Sequence, residues 1–134
     1  MKLIDVYEHP DAVDTLYRLL GERLPHENIS HRVMPDLASH RAFVWNRPYT
    51  AWYLIEEAGG IVGATYLSKA DEIGIWIFLD QRRKGYAAEA VKMLMGRHPR
   101  PRYLANVNPE NSLSKVLFRR LGFKHIQETF SYEP

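Results

Sequence analysis

The run Arg82-Arg83-Lys84-Gly85-Tyr86-Ala87 concentrates the residues of this chain best suited to chemistry. Three cations, a glycine and a small residue follow an apolar stretch and open a stretch with helical spacing. A helix that starts here presents unpaired backbone N–H groups and the positive end of its dipole. Gly85 lets backbone approach an anion closely, and Ala87 leaves the room that a large side chain would fill. The chemistry implied is capture of a pyrophosphate in a backbone nest. The spacing is neither GxxxxGK[ST] nor GxGxxG, so the P-loop and Rossmann readings fail. A basic helix cap with a turn glycine accounts for the same residues, so a second element must decide.

That element is Val107-Asn108-Pro109-Glu110-Asn111, followed by Ser114 and Phe118. Asn111, Ser114 and Phe118 recur at i, i+3 and i+7, which puts two polar groups and a ring on one helix face. The spacing predicts that this face looks onto a cleft beside the cationic loop, with Leu113, Val116, Leu117 and Leu121 turned to the core. Asn111 also suits the N-cap, and Gly122 the residue just past the helix end. No metal site is expected. His26-Glu27 begins an HExxH pattern, but Ser30 stands at its last position and His31 falls on another face. With no cysteine, a thiolate nucleophile, an iron–sulfur cluster and a zinc ribbon are excluded.

The elements that must hold these residues follow from patterning. Lys2 to Tyr7 reads as a strand, and His9-Pro10-Asp11 opens a helix with Val13, Leu16, Tyr17, Leu20 and Leu24 as its stripe, stopped by Pro25. Residues 26–34 read as loop and Pro35 to Trp45 as a second helix. Thr50 to Glu57 and Ile61 to Ser68 are strands joined across Ala58-Gly59-Gly60. Glu72 to Leu79 is apolar on both faces and reads as a central strand. A helix from Tyr86 to about His98, a strand from Tyr103 to Val107, a helix after Asn111 and a last strand from about Lys124 to Tyr132 complete the order. A helix bridging the strands at 72 and 103 predicts a parallel, right-handed crossover.

The 134 residues carry 46% hydrophobic and 25% charged residues with no break in composition, which predicts one domain over 1–134. The longest apolar run, Ile73 to Leu79, is too short for a membrane span, and the acidic N-terminus does not read as a signal peptide. A soluble cytoplasmic protein is the expectation. The net charge of +2 hides an asymmetry, about −5 over residues 1–81 against +9 over 82–124. Such a segment suits a polyanionic partner or a solvated basic face.

Taken together, these motifs resemble the GNAT superfamily of acyl-CoA N-acyltransferases. The resemblance rests on Glu72-Ile73-Gly74 and its strand, then Arg82-x-x-Gly85-x-Ala87, which matches the family's Q/R-x-x-G-x-G/A loop. Glu89-Ala90-Val91 follows as in the branch of ribosomal-protein N-terminal acetyltransferases, and Val107-x-Pro109-x-Asn111-x-x-Ser114 and Leu121-Gly122-Phe123 complete the series. The fold implied is α/β (α+β): a mixed, mostly antiparallel sheet with a splayed parallel pair, 72–79 and 103–107, flanked by helices. The co-substrate implied is acetyl-CoA, bound by a core over about 72–123, and the basic segment then faces CoA phosphates.

By the same resemblance, backbone groups near Ile77 and Leu79 bind pantetheine. The loop Arg82, Arg83, Lys84, Gly85, Tyr86 and Ala87 holds pyrophosphate, and Asn111 and Ser114 contact the cofactor. Glu72, at the head of the strand, is the candidate base, against the plain reading of a carboxylate that anchors a loop. Phe118 occupies the position where many members carry a tyrosine general acid, and either Tyr86 or Tyr66 substitutes or the thiolate, whose pKa is already low, leaves unaided. Residues 25–53 form the acceptor side, with His26, His31, Arg32, His40, Arg41, Trp45, Arg47, Tyr49, Trp52 and Tyr53 suited to a sugar, a nucleotide or a carboxylate-bearing amine. A nucleotide-linked amino sugar is the preferred small-molecule acceptor. A non-catalytic acyl-CoA sensor and a peptide or protein N-terminal acetyltransferase remain open, as does a homodimer. Nucleic acid is disfavoured, because the aromatics lie mostly outside the basic segment.

Overall fold

Strand-prone segments with alternating burial pair into one sheet in a computed structural model that describes residues 1–23 and 33–134. Lys2–Asp5 (β1), Ala51–Glu57 (β2), Gly60–Leu67 (β3) and Ile73–Ile77 (β4) lie in the order β1-β2-β3-β4, antiparallel throughout. Glu57 pairs with Gly60, so Ala58 and Gly59 alone make the β2–β3 turn, both at positive φ, 51° and 82°. This is the primed hairpin geometry that matches strand twist.

Helices cover both faces. Ala12–Gly21 (α1) and Leu37–Trp45 (α2) pack on one side, where Leu16, Leu19, Val44, Trp52, Leu54 and Phe78 form a buried cluster. Tyr86–Arg97 (α3) and Ser112–Arg120 (α4) pack on the other, around Leu3, Ile55, Leu67, Ile77, Leu94 and Phe118. Ala90, Val91 and Leu94 of α3 are fully buried, and each large apolar side chain of that kind contributes about 1.5–3 kcal/mol. The sheet is thus the middle of three layers, and α3 fixes the end of the loop that precedes it.

Four expectations are corrected. The 103–107 segment makes a single parallel bridge, Glu72 with Leu104, instead of a strand. The direction is as expected, but β4 is then the edge of the regular sheet and not its centre. No strand forms over 124–132, where Ile126, Phe130 and Tyr132 are exposed. The β-type pattern was there, but a strand needs a paired neighbour, and the 103–107 segment offers no ladder. The first strand ends at Asp5, whose carboxylate accepts from the Tyr7 N–H and turns the chain into a 3₁₀ turn over Val6–Glu8. On α4, Leu113 and Val116 are exposed while Phe118 is buried, so Phe118 belongs to the core face and not to a cleft. Leu24, Pro25, His26, Glu27, Ser30, His31 and Arg32 lie outside the described residues.

His40 ties α2 to α1 through Nε2, which lies 3.2 Å from the Val13 carbonyl and donates to it as the Nε2–H tautomer. Burial lowers its pKa below the ordinary imidazole value, and burial with the charges of Arg100 and Arg97 does the same to His98. The unfolded chain therefore binds more protons once pH falls below about 6.5. Stability is expected to be full above that value and to decline as pH drops through the lowered folded values. Urea midpoints measured across this window check it, and the combined change His40→Gln, His98→Gln should flatten the slope.

Candidate active site

The single parallel bridge creates an opening in the molecule. Ile73 N–H donates to the Leu104 carbonyl at 2.7 Å, and Leu104 N–H donates to the Asp71 carbonyl at 2.9 Å. Beyond this point β4 and residues 105–107 form no ladder. Phe78 N–H donates to the Val62 carbonyl at 2.9 Å, which sets the alternation along β4. Trp76 and Gly74 turn their backbone groups toward β3, and Ile73, Ile75 and Ile77 turn theirs to the opposite edge. Ile73 uses that edge for Leu104, so the Ile75 and Ile77 edges face the gap.

Side chains brace the bridge. The carboxylate of Glu72 accepts from Ser68 Oγ at 3.2 Å and from Asn106 Nδ2, joining the two segments at the head of the gap. Arg100 Nε meets Asp71 Oδ1 at 3.0 Å, and the Tyr103 hydroxyl donates to the His98 carbonyl at 2.6 Å. Residue 104 is thereby held to both β4 and the end of α3.

At the other end of β4 the chain passes through a 3₁₀ turn, Leu79–Gln81, into the cationic loop. Arg82 folds back, its Nε donating to the Ile77 carbonyl at 3.1 Å. Arg83 takes φ 66°, and Lys84 Nζ donates to Gln81 Oε1 at 3.2 Å. Gly85 is the N-cap of α3, at φ 80°, and supplies no side-chain cap for the first N–H groups. A Cβ built there meets nothing within 4 Å, so glycine is required by the left-handed backbone and the space outside is open. Arg83, Lys84 and Gly85 are exposed, while Tyr86 and Ala87 pack against the core cluster that contains Phe118. An exposed helix N-terminus with adjacent cations fits a pyrophosphate.

Three expected cofactor contacts already have protein partners, the first being the Ile77 carbonyl held by Arg82 Nε. Leu79 N–H donates to Glu22 Oε1 at 2.8 Å, and Asn111 Oδ1 accepts from Ser114 N–H at 3.1 Å as the N-cap of α4. Ile75 was not among the expected residues, although its spacing of two from Ile77 puts it on the same edge.

A cavity of about 260 Å³ lies on the α1–α2 side, bounded by Gly74, Ile75 and Trp76 of β4. The Tyr49 and Tyr66 rings stack in its wall at 3.8 Å and 5°, Trp52 meets Tyr49 edge-on, and the Arg23 guanidinium lies 3.7 Å over the Trp76 ring. Tyr66 lies flat over Gly74, where an added Cβ would stand 1.9 Å from the ring. Burial raises the pKa of Tyr66, and burial with the hydrogen bond to Tyr66 raises that of Tyr49, so both phenols stay protonated.

Of the aromatic and cationic residues expected on the acceptor side, the cavity gathers His40, Tyr49 and Trp52. Tyr53 faces the other layer and pairs with His98 at 2.7 Å. Arg47 stacks over Tyr7 at 4.0 Å, and Trp45 is 60% exposed. Arg23 and Trp76 were missed. The period of two from Gly74 could have found Trp76, but nothing local brings Arg23 to it. Among the described residues no three His, Asp or Glu side chains gather as a metal site, and no helix is long and apolar enough to cross a membrane.

The sequence model of one family, described as "Acetyltransferase (GNAT) domain", matches residues 5–124. A search of curated proteins finds no significant match. Among solved structures, a ribosomal-protein-alanine N-acetyltransferase from Brucella melitensis is 16% identical with a TM-score of 0.74, covering 95% of this chain and 86% of its own. An aminoglycoside 6'-N-acetyltransferase from Acinetobacter haemolyticus is 12% identical with a TM-score of 0.70, covering 100% and 98%. A putative acetyltransferase from Salmonella typhimurium, solved with acetyl-CoA, is 15% identical with a TM-score of 0.67, covering 91% and 77%. At such identities the likeness is one of fold.

Gly74→Ala is expected to force Tyr66 off the strand, destabilising the protein by about 1–3 kcal/mol. The same change should alter the fluorescence of the cavity tryptophans. Denaturant titration with emission spectra checks both, and unchanged stability and spectra would show that the Tyr66 ring has an alternative seat.

Proposed function

The chain belongs to the GNAT acetyltransferase family, whose members are acetyl-CoA-dependent N-acetyltransferases, and on that premise we propose that it acetylates the primary amine of a small molecule held in the cavity under α1 and α2. The observation that carries this reading is the position of β4. Its Ile75 and Ile77 edge faces the gap beside residues 105–107, and its Gly74, Ile75 and Trp76 bound the cavity. On this reading one strand serves both substrates.

The donor set fits acetyl-CoA. The uncapped N–H groups of α3 with Arg82, Arg83, Lys84, Gly85, Tyr86 and Ala87 would hold the pyrophosphate. The Ile77 N–H and the backbone groups of Ile75 would pair with an extended arm, the Ile77 carbonyl joining if Arg82 releases it, and one N–H there would polarise the thioester carbonyl. Leu79 joins them if Glu22 releases its N–H, and Asn111 and Ser114 contribute from the start of α4. When bound, acetyl-CoA supplies an acetyl group already activated toward an amine.

Glu72 is the proposed base, taking the proton that the acceptor amine must lose. It stands at the head of the gap, and its charge acts on Tyr66 in the cavity wall. Asn106 and Ser68 hold its carboxylate in a fixed orientation. Phe118 is buried and apolar, so the proton donor, where one is used, is a tyrosine, and of the two protonated phenols in the cavity Tyr66 is the one on which the Glu72 charge acts. For the acceptor, the stacked rings of Tyr49 and Tyr66 suit the C–H face of an amino sugar, and a nucleotide attached to it would extend out of a cavity of this volume.

Two measurements test the reading. Titration with acetyl-CoA should raise the melting temperature, with about 2.7 kcal/mol of stabilisation at about 100 times the dissociation constant. Gly85→Glu should abolish the shift while leaving the unliganded protein folded, and a shift of wild-type size in that variant would overturn the loop assignment. Glu72→Gln keeps an oxygen to accept from Asn106, yet should lower kcat by about 10²–10⁴. Unchanged kcat would leave Glu72 as a brace of the bridge alone.

A further inference from the structure

The gap edge of β4 is filled at both ends and open between them. A residue that joins such an edge in parallel uses two strand groups, the carbonyl of one residue and the N–H of the residue two further on. Leu104 does this at the head of the gap, with the Asp71 carbonyl and the Ile73 N–H. The next two pairs are the Ile73 carbonyl with the Ile75 N–H and the Ile75 carbonyl with the Ile77 N–H. Neither has a partner among the described residues. The last pair, the Ile77 carbonyl and the Leu79 N–H, is taken by side chains. Phe78 is extended and gives its N–H to β3, so the Leu79 N–H leaves from the gap edge. Arg82 Nε donates to the Ile77 carbonyl at 3.1 Å, and Glu22 Oε1 accepts from the Leu79 N–H at 2.8 Å. A donor and an acceptor thus stand where the N–H and C=O of an incoming amide segment would bind.

Packing delivers Glu22 to this place. Leu16 and Leu19 of α1 are buried in one cluster with Phe78, which fixes the helix end against the end of β4. Glu22 is the C-cap of α1. Arg18, one turn before it, lays its guanidinium over the Phe78 ring at 5.2 Å, and Arg23, just after it, lies over Trp76. The end of α1 therefore engages residues 76, 78 and 79 together. A carboxylate that accepts from a backbone N–H makes a charge-assisted bond, stronger than one between neutral groups. An arm that takes the Leu79 N–H must break that bond and offers a neutral amide carbonyl in return, so the exchange weakens its binding.

We propose that Glu22 is a resident competitor for acetyl-CoA: it holds the Leu79 N–H in the unliganded protein, and an amide carbonyl of the extended arm displaces it. The proposal rests on the acetyl-CoA reading above and deepens it, because it names a side chain beside the cofactor path whose removal tightens binding.

Calorimetric titration of the full chain compares the wild type with Glu22→Ala and Glu22→Gln. Acetyl-CoA is one probe, and adenosine 3′,5′-bisphosphate, which is anionic and lacks the arm, is the other. Glu22→Ala should bind acetyl-CoA about tenfold tighter than the wild type and the bisphosphate no tighter. Glu22→Gln keeps an oxygen that can accept from Leu79 and should fall between the two. Equal gains for both probes, or for both variants, would mean simple repulsion between a carboxylate and an anionic ligand and would overturn the proposal. Unchanged or weaker binding by Glu22→Ala would do the same. The amide itself supplies a second reading, independent of any loosening of α1. In protein labelled with heavy nitrogen in leucine alone, the Leu79 amide proton should lie downfield in the unliganded wild type and move upfield in Glu22→Ala. In the two acetyl-CoA complexes it should converge on one position. A Leu79 signal that ignores the substitution, or ignores saturating acetyl-CoA, overturns the proposal and leaves the cofactor reading intact. Failure of the wild type and Glu22→Ala alike to bind acetyl-CoA overturns the cofactor reading and this inference with it.

Discussion

Two hydrogen bonds, Ile73 N–H to the Leu104 carbonyl and Leu104 N–H to the Asp71 carbonyl, hold the parallel segments together at one point and nowhere else along β4. Were the ladder to continue, the Ile75 and Ile77 edges would be consumed in a sheet. Were it absent, residues 103–107 would have no fixed place beside β4. The braces are placed accordingly, with the Glu72 carboxylate between Ser68 and Asn106 and the Arg100–Asp71 pair beside it. The ion pair is about one-third exposed on each side, so its direct contribution to stability is small. Its consequence is geometric, since it fixes where the two segments part.

The ends of β4 then receive different tasks from the layers around the sheet. Toward residue 79 the chain is anchored by α3, whose Ala90, Val91 and Leu94 are fully buried, while the residues leading into it, Arg83 to Gly85, stay exposed and end in a glycine cap. A helix can leave its N–H groups open in this way because its stability comes from the packed face further along. Burial thus secures the element, and the uncapped terminus remains available for an anion.

On the opposite face the same strand builds a pocket from rings. Gly74 has no side chain, so Tyr66 lies flat on the backbone, and Tyr49 stacks on Tyr66. Trp76, one alternation further, carries Arg23 from the end of α1. Each contact depends on the one before it, which makes the wall a single unit and not a set of separate side chains.

Much of this was legible in the chain. The Arg82–Ala87 loop before a helix, the Asn111 cap, the Ala58-Gly59 hairpin and the order of elements follow from spacing, local φ preference and hydrophobic period, which are properties of neighbours in sequence. What was illegible is non-local. The strand expected over 124–132 has a suitable pattern but no paired ladder, and the exposure of Leu113 and Val116 depends on which face of α4 meets the core. Phe118 reads as a cleft residue by helical spacing and is buried, because that spacing defines a face without saying what the face meets. The sequence by itself determined the loop that suits a pyrophosphate and the family to which such a loop points. Only the tertiary structure decided where the parallel pair parts, that Glu22 and Arg82 hold backbone groups of Leu79 and Ile77, and that Arg23 stands over Trp76. Those contacts join residues distant in the chain, and their geometry is set by packing of whole elements, which no local pattern encodes.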